Sequence, residues 1–288
     1  GTAGLVTAAG AAGLGARVAL VERHLLGGDC LNVGCVPSKC LIRSSRAFAD
    51  VLGAEDFGIK IPEGVQVDFE KVMERMRRLR SRISFHDSAK RFQELGVDVF
   101  LGEGRFAGSA TVEVKGKTLR FKKGVIATGA RAVVPPVPGL AEAGFLTNET
   151  VFSLTERPDR LAVFGAGPLG CELAQAFQRL GSQVTIIEQA PQFLTREDPD
   201  AARILSDAFR KEGIDVRLNT RVERVSLEGR EKTIHLKADG KESIVVVDEI
   251  LVGTGRAPNV EGLNLEAADV VYDNRKGVEV NDRLQTTN

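Results

Sequence analysis

The chain of 288 residues is poor in cysteine and lacks long apolar runs, and each of these shortages excludes a class of protein. It has no tryptophan, one tyrosine and four cysteines. Four cysteines are too few for a secreted scaffold held by disulfides, so we expect a reducing, cytoplasmic location and thiols that are either catalytic or inert. No apolar run reaches the roughly 18 residues of a membrane-spanning helix, so we expect no membrane partner.

Net charge is also absent, because 39 basic residues balance 39 acidic ones. Such a chain creates no overall field that would attract nucleic acid, and we expect no nucleic-acid partner. The densest basic run lies in a helix predicted from Asp68, its N-cap, to residue 95, with Gly96 as the stop signal. The spacing predicts a solvated face for its arginines, at positions 75, 77, 78, 80 and 82, and an apolar face for Val72, Met76, Leu79 and Ile83.

Residues 165–188 read GAGPLGCELAQAFQRLGSQVTIIE and follow the apolar run RLAVF. A strand, three spaced glycines, a helix, a second strand and an acid in this order indicate a dinucleotide-binding unit. Gly165, Gly167 and Gly170 would let backbone N–H groups approach a pyrophosphate, and Glu188 would accept the ribose hydroxyls. Because an acid repels a 2′-phosphate, the sequence predicts NAD(H) rather than NADP(H).

The N-terminus repeats this unit. Gly1 aligns with Gly167, Gly4 with Gly170, and Glu22 with Glu188, at a constant offset of 166 residues. The chain therefore carries two dinucleotide-binding units, and the fold class that we predict is α/β, with two three-layer Rossmann-like domains. The first unit begins in mid-motif, so we expect its opening glycine and preceding strand to lie outside this sequence.

The remaining elements are predicted from periodicity and turn residues. Between the two units we expect a hairpin turn at KGK and strands at 97–101, 111–114, 118–122 and 124–128. The proline-rich stretch VVPPVPGL, residues 133–140, predicts a crossing between domains. After the second unit we expect a helix near 199–212 and short strands from 214 to 253.

Three of the four cysteines lie in GGDCLNVGCVPSKC, residues 27–40. A structural disulfide between Cys30 and Cys35 would close only a short loop and add little stability. A zinc site would need four paired Cys or His ligands, which this segment lacks, so we expect no metal. A redox pair is favoured instead, because Pro37 suits the first turn of a helix and Cys35 then falls at its positive N-terminal end.

The other residues of this segment divide by their position. Lys39 follows Cys35 by one helical turn and would add positive charge beside its sulfur. Cys30 is predicted to lie in an extended segment before the helix. Cys40 points away from Cys35 around the helix. Cys171 lies in the helix that follows the glycines of the second dinucleotide-binding unit, here called the second fingerprint. We therefore expect both cysteines to be packing residues.

The segment GGDCLNVGCVPSK resembles the active-site signature of the flavin-dependent pyridine nucleotide-disulfide oxidoreductases, and the resemblance covers essentially the whole chain. It implies an FAD-binding domain at 1–147 plus 269–288, with an NAD(P)-binding domain inserted at 148–268. A C-terminal dimerisation domain, with the His-Glu pair that serves the partner subunit, would lie beyond this chain, and the intact protein would be a homodimer.

The resemblance also implies roles for single residues. Cys35 would face the flavin, Cys30 would exchange with substrate as the other half of a redox disulfide, and Lys39 would lie near the flavin ring, paired with Glu172. These four would be the catalytic residues. The cofactor-binding positions would be Gly1, Gly4, Glu22, Gly28, Lys39, Gly104, Thr128, Gly129, Gly165, Gly167, Gly170, Glu188, Val222 and Gly255.

The implied activity is transfer of electrons from NAD(P)H through FAD to the cysteine pair and then to a small disulfide or metal ion, as in mercuric reductase. The alternative is dihydrolipoamide dehydrogenase, which has threonine where this chain has Asp29. Pro168 stands in place of the aromatic lid of glutathione reductases and disfavours that substrate. A nucleotide-binding fragment or pseudoenzyme without catalysis is the non-enzymatic alternative.

Overall fold

The computed structural model describes residues 1–288 as a mixed α/β protein. Its α-helices are α1 (Thr2–Gly13), α2 (Gly28–Val33), α3 (Cys35–Leu52), α4 (Phe69–Ser84), α5 (Ala89–Glu94), α6 (Leu140–Ala143), α7 (Pro168–Arg179) and α8 (Pro199–Lys211). The short 3₁₀ helices are Gly53–Phe57, Phe85–Asp87, Val151–Ser153 and Leu265–Ala268. None of the helices combines the length and apolarity that crossing a membrane requires.

The strands are short and fall into several small sheets. The first eight are β1 (Val18–Glu22), β2 (Val97–Leu101), β3 (Gly104–Gly108), β4 (Thr111–Val114), β5 (Lys117–Arg120), β6 (Ala130–Ala132), β7 (Arg160–Phe164) and β8 (Gln183–Ile187). The other eight are β9 (Asp215–Arg217), β10 (Arg221–Glu228), β11 (Glu231–Ala238), β12 (Lys241–Val247), β13 (Glu249–Val252), β14 (Arg256–Pro258), β15 (Tyr272–Asp273) and β16 (Gly277–Val278).

The chain divides into two compact units. The first unit comprises Gly1–Cys35, Arg80–Arg131 and Arg256–Asn288, and the second comprises Val36–Leu79 and Ala132–Gly255. The chain passes from one to the other just before the proline-rich stretch that predicts a crossing. The two units are defined by which residues pack together. The predicted domains, with boundaries at 147 and 268, are defined by the cofactor that each would bind, and they stay a prediction.

The second unit is built on a parallel sheet of strand order β13-β7-β8-β9. Its central strands are buried on both faces, as parallel strands covered by helices are, and Leu161, Val163 and Ile186 are completely buried. The antiparallel meander β10-β11-β12 packs Ile234 and Leu236 into a hydrophobic cluster with residues of β7 and β13. This sheet fixes the position of the loop at Gly165, directly after β7.

The first unit contains the parallel pair β1-β2 and the meander β3-β4-β5. Helix α1 packs Leu5 against Phe92 and Val97 in the cluster that covers β1 and β2. The predicted KGK turn joins β4 to β5, with Lys115 at φ 45° and Gly116 at φ 73°. Two central residues with positive φ make a turn whose twist matches that of the strands.

The long helix predicted for 68–95 is interrupted. It begins as expected, since the Asp68 side chain accepts a hydrogen bond from the backbone N–H of Lys71 (3.0 Å), but α4 ends at Ser84. Ser88 has an extended backbone and its hydroxyl accepts a bond from the backbone N–H of Arg91, so it caps a separate helix, α5. A hydroxyl side chain competes with the helix for backbone donors. Here the Ser88 hydroxyl takes one of these donors, and the long helix is divided in two.

The prediction of a solvated arginine face is wrong for three of the five arginines, and Arg78 and Arg82 are exposed as predicted. Arg75 and Arg77 are part-buried donors to the backbone carbonyls of Cys40 (3.3 Å) and Leu154 (2.8 Å). Arg80 donates to the carbonyl of Asn32 (3.0 Å). A guanidinium on a long stem can reach and satisfy distant carbonyls while its alkyl part lies along the protein surface.

Strand prediction in the first unit failed in both directions, as residues 124–128 and β3 illustrate. Residues 124–128 form no strand, because no neighbouring chain segment supplies ladder hydrogen bonds to them. Conversely, β3 was not predicted, since glycine at both of its ends is typical of a loop. It forms because it pairs with β4 through Gly104 and Val114.

Candidate functional site

The cysteine segment folds as two helices, not as an extended strand followed by one helix. Cys30 lies within α2, a correction to the extended conformation that the sequence predicts. Gly27, at φ 94°, starts this short helix, and the Asn32 amide donates to the carbonyls of Leu26 (3.1 Å) and Gly28 (2.9 Å). These local bonds stabilise a helix of only six residues, too short to show a period in the sequence.

Gly34 separates α2 from α3. A Cβ atom there would lie 2.9 Å from the carbonyl oxygen of Asp29, so only glycine fits. Cys35 is the first residue of α3, as predicted, and its side chain is exposed. A thiolate at a helix N-terminus is stabilised by the helix dipole and the free N–H groups.

The sulfurs of Cys30 and Cys35 lie in contact. The Cys30 thiol donates to the Cys35 side chain, and the Cys30 sulfur accepts a bond from the backbone N–H of Cys35. None of the four cysteines forms a disulfide in the structure, so the pair is present as two thiols. The predicted disulfide between them is the other redox form of the same pair and stays a prediction.

The environments of the cysteines differ. Burial raises the pKa of Cys30, as does its hydrogen bond to Cys35, whereas the Thr2 hydroxyl and the Cys35 N–H act in the opposite direction. Burial also raises the pKa of Cys40, against the charge of Arg75.

Cys171 is buried in α7, and its thiol donates to the carbonyl of Ala166 (3.5 Å). Burial first, and then the carboxylates of Glu188 and Glu172, raise its pKa to about 12. The thiol therefore stays protonated at neutral pH and cannot act as a nucleophile. Its buried position confirms the prediction that Cys171 is a packing residue.

Lys39 and Glu172 join the cysteine helix to the second fingerprint helix. The Lys39 ammonium donates to both carboxylate oxygens of Glu172, each at 2.9 Å. Lys39 lies one turn after Cys35 on α3, and Glu172 lies two residues after the last fingerprint glycine. The contact implied by the resemblance is therefore present, and its catalytic role stays a prediction.

In the second fingerprint, the turn from Gly165 to Gly170, the backbone segments approach one another as closely as the glycines predict. A Cβ atom on Gly170 would lie 2.4 Å from the carbonyl oxygen of Gly165, and one on Gly165 would lie 2.8 Å from that of Gly253. Gly167 is the N-cap of α7, and Pro168 occupies its first turn. The backbone N–H groups at this helix start are thereby open to an anion.

The two acids that we expect to bind ribose, Glu22 and Glu188, are held by backbone donors in the same way. The carboxylate of Glu188 accepts from the N–H groups of Ala166 (2.8 Å) and Ala190 (2.9 Å). Glu22 accepts from His24 N–H (2.9 Å), the donor that matches Ala190 in the repeat. Each carboxylate oxygen has two lone pairs, so both acids keep the capacity to accept ribose hydroxyls.

The first unit also has a cradle that a side chain would fill. A Cβ atom on Gly28 would lie 2.3 Å from Cα of Gly1, and Gly4 brings α1 within 3.5 Å of the Ala127 side chain by the same measure. The first N–H groups of α1, as at any helix start, have no partner within the helix. The glycine turns and acids of both units fit the diphosphate and ribose groups of dinucleotide cofactors.

Three of the other expected cofactor positions lie in loops of defined shape. The Thr128 hydroxyl donates to the carbonyl of Asn259 (2.7 Å), whose N–H donates to the carbonyl of Gly129 (2.9 Å). The carbonyl of Gly255 accepts from Val133 N–H (3.0 Å), and Gly255 has φ 142°. Their contact with a cofactor stays a prediction.

Two expected positions lie against the protein's own side chains. Gly104 starts β3, where a Cβ atom would lie 3.1 Å from a methyl group of Val21. Val222 packs against the hydrophobic cluster of the second unit. The absence of a side chain at Gly104 therefore allows close packing against Val21, and the side chain of Val222 contributes to the hydrophobic core. Contact of either backbone with a cofactor stays a prediction.

Comparison with known proteins identifies the family. The profile of the pyridine nucleotide-disulphide oxidoreductases matches residues 1–288. The chain belongs to this family. The α/β fold and the family assignment made from the sequence are therefore confirmed, and the family implies a flavin and a pyridine nucleotide as cofactors.

The relatives of this chain include two enzymes with different substrates. The chain is 34% identical over 274 residues to the mercuric reductase of Staphylococcus aureus, which covers 95% of this chain and 50% of the relative. It is 34% identical over 291 residues to the dihydrolipoyl dehydrogenase of Bacillus subtilis (strain 168), covering 99% and 63% respectively. The chain spans about half to two thirds of the length of these relatives.

A solved structure in the same family is similar over the whole chain. It is a Cu(II) complex of RclA, an HOCl-induced flavoprotein disulfide reductase from Escherichia coli, with a TM-score of 0.85 and 30% identity. The match covers 100% of this chain and 62% of that protein.

One ion pair beside the cysteines has no signal in the sequence. Arg256 at the start of β14 donates to the carboxylate of Asp29 and to the carbonyl of Ala130 (2.5 Å). Asp29 and Arg256 are 227 residues apart, so no local pattern connects them. The pair ties α2, which carries Cys30, to β14.

Changing Glu172 to Gln should slow electron transfer to the cysteine pair by about tenfold, because Lys39 would lose the carboxylate that fixes its ammonium group. The measurement is the single-turnover rate of cysteine reduction by NADH in the FAD-loaded chain. Glu197→Gln is the matched control, since Glu197 lies after β8 and its carboxylate makes no ion pair in the structure. Equal rates for the two variants would show that the pair is only a surface contact.

Proposed function

We propose that this chain carries the electron-transfer centre of an NAD(P)H-dependent flavoprotein, which reduces a small disulfide or a metal ion in the manner of a mercuric reductase. The observation that carries the proposal is the contact between the thiols of Cys30 and Cys35 at the start of α3, one turn before Lys39. The whole protein would be a cytoplasmic homodimer, with the scarcity of cysteine supporting that location.

Two cofactors would supply the electrons. The glycine turn and Glu22 of the first unit would hold the adenosine end of FAD, and the turn at Gly165 with Glu188 would hold the pyridine nucleotide. When they are bound, two electrons from the nicotinamide would reach the cysteine pair through the flavin. Glu172 would fix the ammonium group of Lys39, which lies one helical turn after Cys35.

The reduced pair would then act by thiol-disulfide exchange. The Cys30 thiolate attacks one sulfur of the substrate disulfide, forming a mixed disulfide and releasing the other sulfur as a thiolate, which takes up a proton. Cys35, as thiolate, attacks the Cys30 sulfur and releases the second product thiol, leaving a Cys30-Cys35 disulfide. Two electrons pass to the substrate, and the two protons of the cysteines end on the products.

Two kinds of electron acceptor fit the cysteine pair. The similarity to a mercuric reductase and to a Cu(II) complex of RclA supports a thiophilic metal ion. The similarity to dihydrolipoyl dehydrogenase supports the second candidate, in which dihydrolipoamide is oxidised and electrons run in the reverse direction.

An acceptor panel tests the proposal. NADH oxidation by the FAD-loaded full-length protein is followed with mercuric ion, cupric ion, lipoamide and glutathione disulfide as acceptors. Faster turnover with a metal ion or lipoamide than with glutathione disulfide supports the proposal and selects the branch. A colourless protein that binds neither cofactor, or no acceptor-dependent oxidation, would favour the nucleotide-binding fragment without catalysis.

The nucleotide preference is a separate prediction. We expect a Michaelis constant for NADH at least about tenfold below that for NADPH, because Glu188 would repel a 2′-phosphate. Changing Glu188 to Ala should weaken NADH and reduce the difference between the two. Steady-state kinetics of both proteins with both nucleotides is the measurement, and a clear NADPH preference in the parent protein would contradict the assignment to NAD(H).

A further inference from the structure

Two carboxylates lie beside the start of α1, where we expect the diphosphate of FAD. One belongs to Glu22, and the other to Asp29 in the first turn of α2. Gly28, the residue before Asp29, touches Gly1 so closely that a Cβ atom on Gly28 would lie 2.3 Å from Cα of Gly1, the N-cap of α1. Because consecutive Cα atoms are only about 3.8 Å apart and the side chain is short, the Asp29 carboxylate lies within about 10 Å of this helix start.

The charge of Asp29 opposes the ligand that we expect at this place. A diphosphate carries about two negative charges, and like charges about 10 Å apart still repel one another where protein replaces part of the water. The helix dipole of α1 supplies only about half a positive charge to offset this repulsion. An uncompensated Asp29 would therefore weaken the binding of the anion that the glycine turn is shaped to hold.

Arg256 compensates this charge. Its Nη2 atom donates to the Asp29 carboxylate and to the carbonyl of Ala130 (2.5 Å). Ala130 begins β6, the strand that pairs with β14, so the guanidinium is held by its own sheet while it binds the acid. The side chains of Arg256 and Asp29 are 49% and 44% exposed, and ion pairs this exposed add little to stability. A contribution to folding therefore does not account for the pair.

We propose that Arg256 is a positioning residue of the first nucleotide site, which neutralises Asp29 so that the diphosphate of FAD can bind beside it. The inference rests on the proposed function, because that function assigns FAD to the first unit. Asp29 in turn favours the short helix α2, which carries Cys30, since an acid in the first turn interacts favourably with the helix dipole. The pair thus allows an acid next to the redox cysteines without opposing the cofactor.

Titration of the flavin-free full-length protein with FAD, followed by quenching of the flavin fluorescence, tests the inference. Arg256→Gln leaves Asp29 uncompensated and should raise the dissociation constant for FAD about tenfold. Asp29→Asn removes the ion pair together with the repelling charge, so this variant should bind FAD as tightly as the parent or more tightly. The double variant should return to within about threefold of the parent, because no charge is left to compensate.

Salt distinguishes an effect of charge from a loss of structure. The screening length falls from about 10 Å at 0.1 M salt to about 3 Å at 1 M, so the difference between Arg256→Gln and the parent should shrink over this range. Arg17→Gln is the matched control for a lost positive charge. Arg17 pairs with Asp98 (3.9 Å) at the opposite end of β1, about 15 Å from Glu22, and this variant should bind FAD like the parent at both salt concentrations.

Asp29→Asn decides the question alone if Arg256→Gln does not fold. A structural role for the ion pair predicts weaker FAD binding in Asp29→Asn, whereas charge compensation predicts equal or tighter binding. Three results would overturn the inference: an Asp29→Asn protein weakened as much as Arg256→Gln, a double variant that does not recover, or a difference that salt leaves unchanged.

The titration also separates this inference from the proposed function. A parent protein that binds no FAD would contradict both. A parent that binds FAD and whose cysteines NADH reduces, but whose Asp29 and Arg256 variants lack the reciprocal pattern, would overturn only the role of Arg256.

Discussion

Replacing Cys35 with serine should reduce NADH-dependent reduction of a disulfide acceptor by about a thousandfold or more, since a hydroxyl cannot form the disulfide through which the electrons pass. The structure supports this strong effect, because Cys35 begins α3 and its sulfur contacts that of Cys30. The FAD-loaded variant should also lose the long-wavelength absorption band of a thiolate beside a flavin. Steady-state kinetics and an absorption spectrum after adding NADH measure the two effects.

Cys40→Ser is the matched control for this variant. Cys40 lies on the same helix as Cys35, but Arg75 contacts its backbone carbonyl, and Cys40 is not among the hydrogen-bond partners of the Cys30 side chain. Activity and the absorption band should therefore persist in Cys40→Ser. Equal losses in the two variants would mean that α3 is sensitive to any change, and full activity in Cys35→Ser would rule out the cysteine mechanism.

Changing Gly170 to Ala should both destabilise the protein and abolish measurable binding of NADH. The new Cβ atom would lie 2.4 Å from the carbonyl oxygen of Gly165 and 3.2 Å from a methyl group of Val163. Both neighbours belong to the rigid β7 strand and its turn, so relieving the overlap would move the phosphate-binding loop. We expect the free energy of unfolding to fall by about 2 kcal/mol.

Gly10→Ala is the control for that substitution. Gly10 lies inside α1, and a Cβ atom there would have no neighbour within 4 Å. Alanine is the better helix former, so this variant should gain about 0.5–1 kcal/mol in stability and keep its affinity for NADH. Urea unfolding and calorimetric NADH titration measure both variants. Normal NADH affinity in Gly170→Ala would contradict the assignment of this turn to the nucleotide.

The nucleotide turns and the start of the cysteine helix could be predicted because their determinants are local. The strand at 160–164, the glycines that follow it and Glu188 lie within one short segment, and each residue type has a single steric or hydrogen-bonding reason. Asp68, which starts α4, and Pro37, in the first turn of α3, act within one turn of a helix. Local chemistry of this kind can be recognised in one sequence.

The features that escaped prediction depend on contacts between distant residues. The helix around Cys30 is too short for a periodic pattern, and its stability comes from Gly27 and the Asn32 amide. Residues 124–128 have the composition of a strand, but a strand also needs a neighbour with which to pair. The starts of α1 and α2 meet only because Gly1 and Gly28 allow their backbones to touch.

The most direct test of the account is an anaerobic titration of the FAD-loaded full-length protein with NADH, followed by alkylation and mass spectrometry at each cysteine. If Cys30 and Cys35 form a disulfide that accepts two electrons, about one equivalent of NADH should reduce it. Both cysteines, which resist alkylation as a disulfide, should then become alkylated together. Cys171 should stay unmodified, because its pKa is about 12. Oxidation of NADH without any change at Cys30 and Cys35 would contradict the central claim that these two sulfurs form the redox centre.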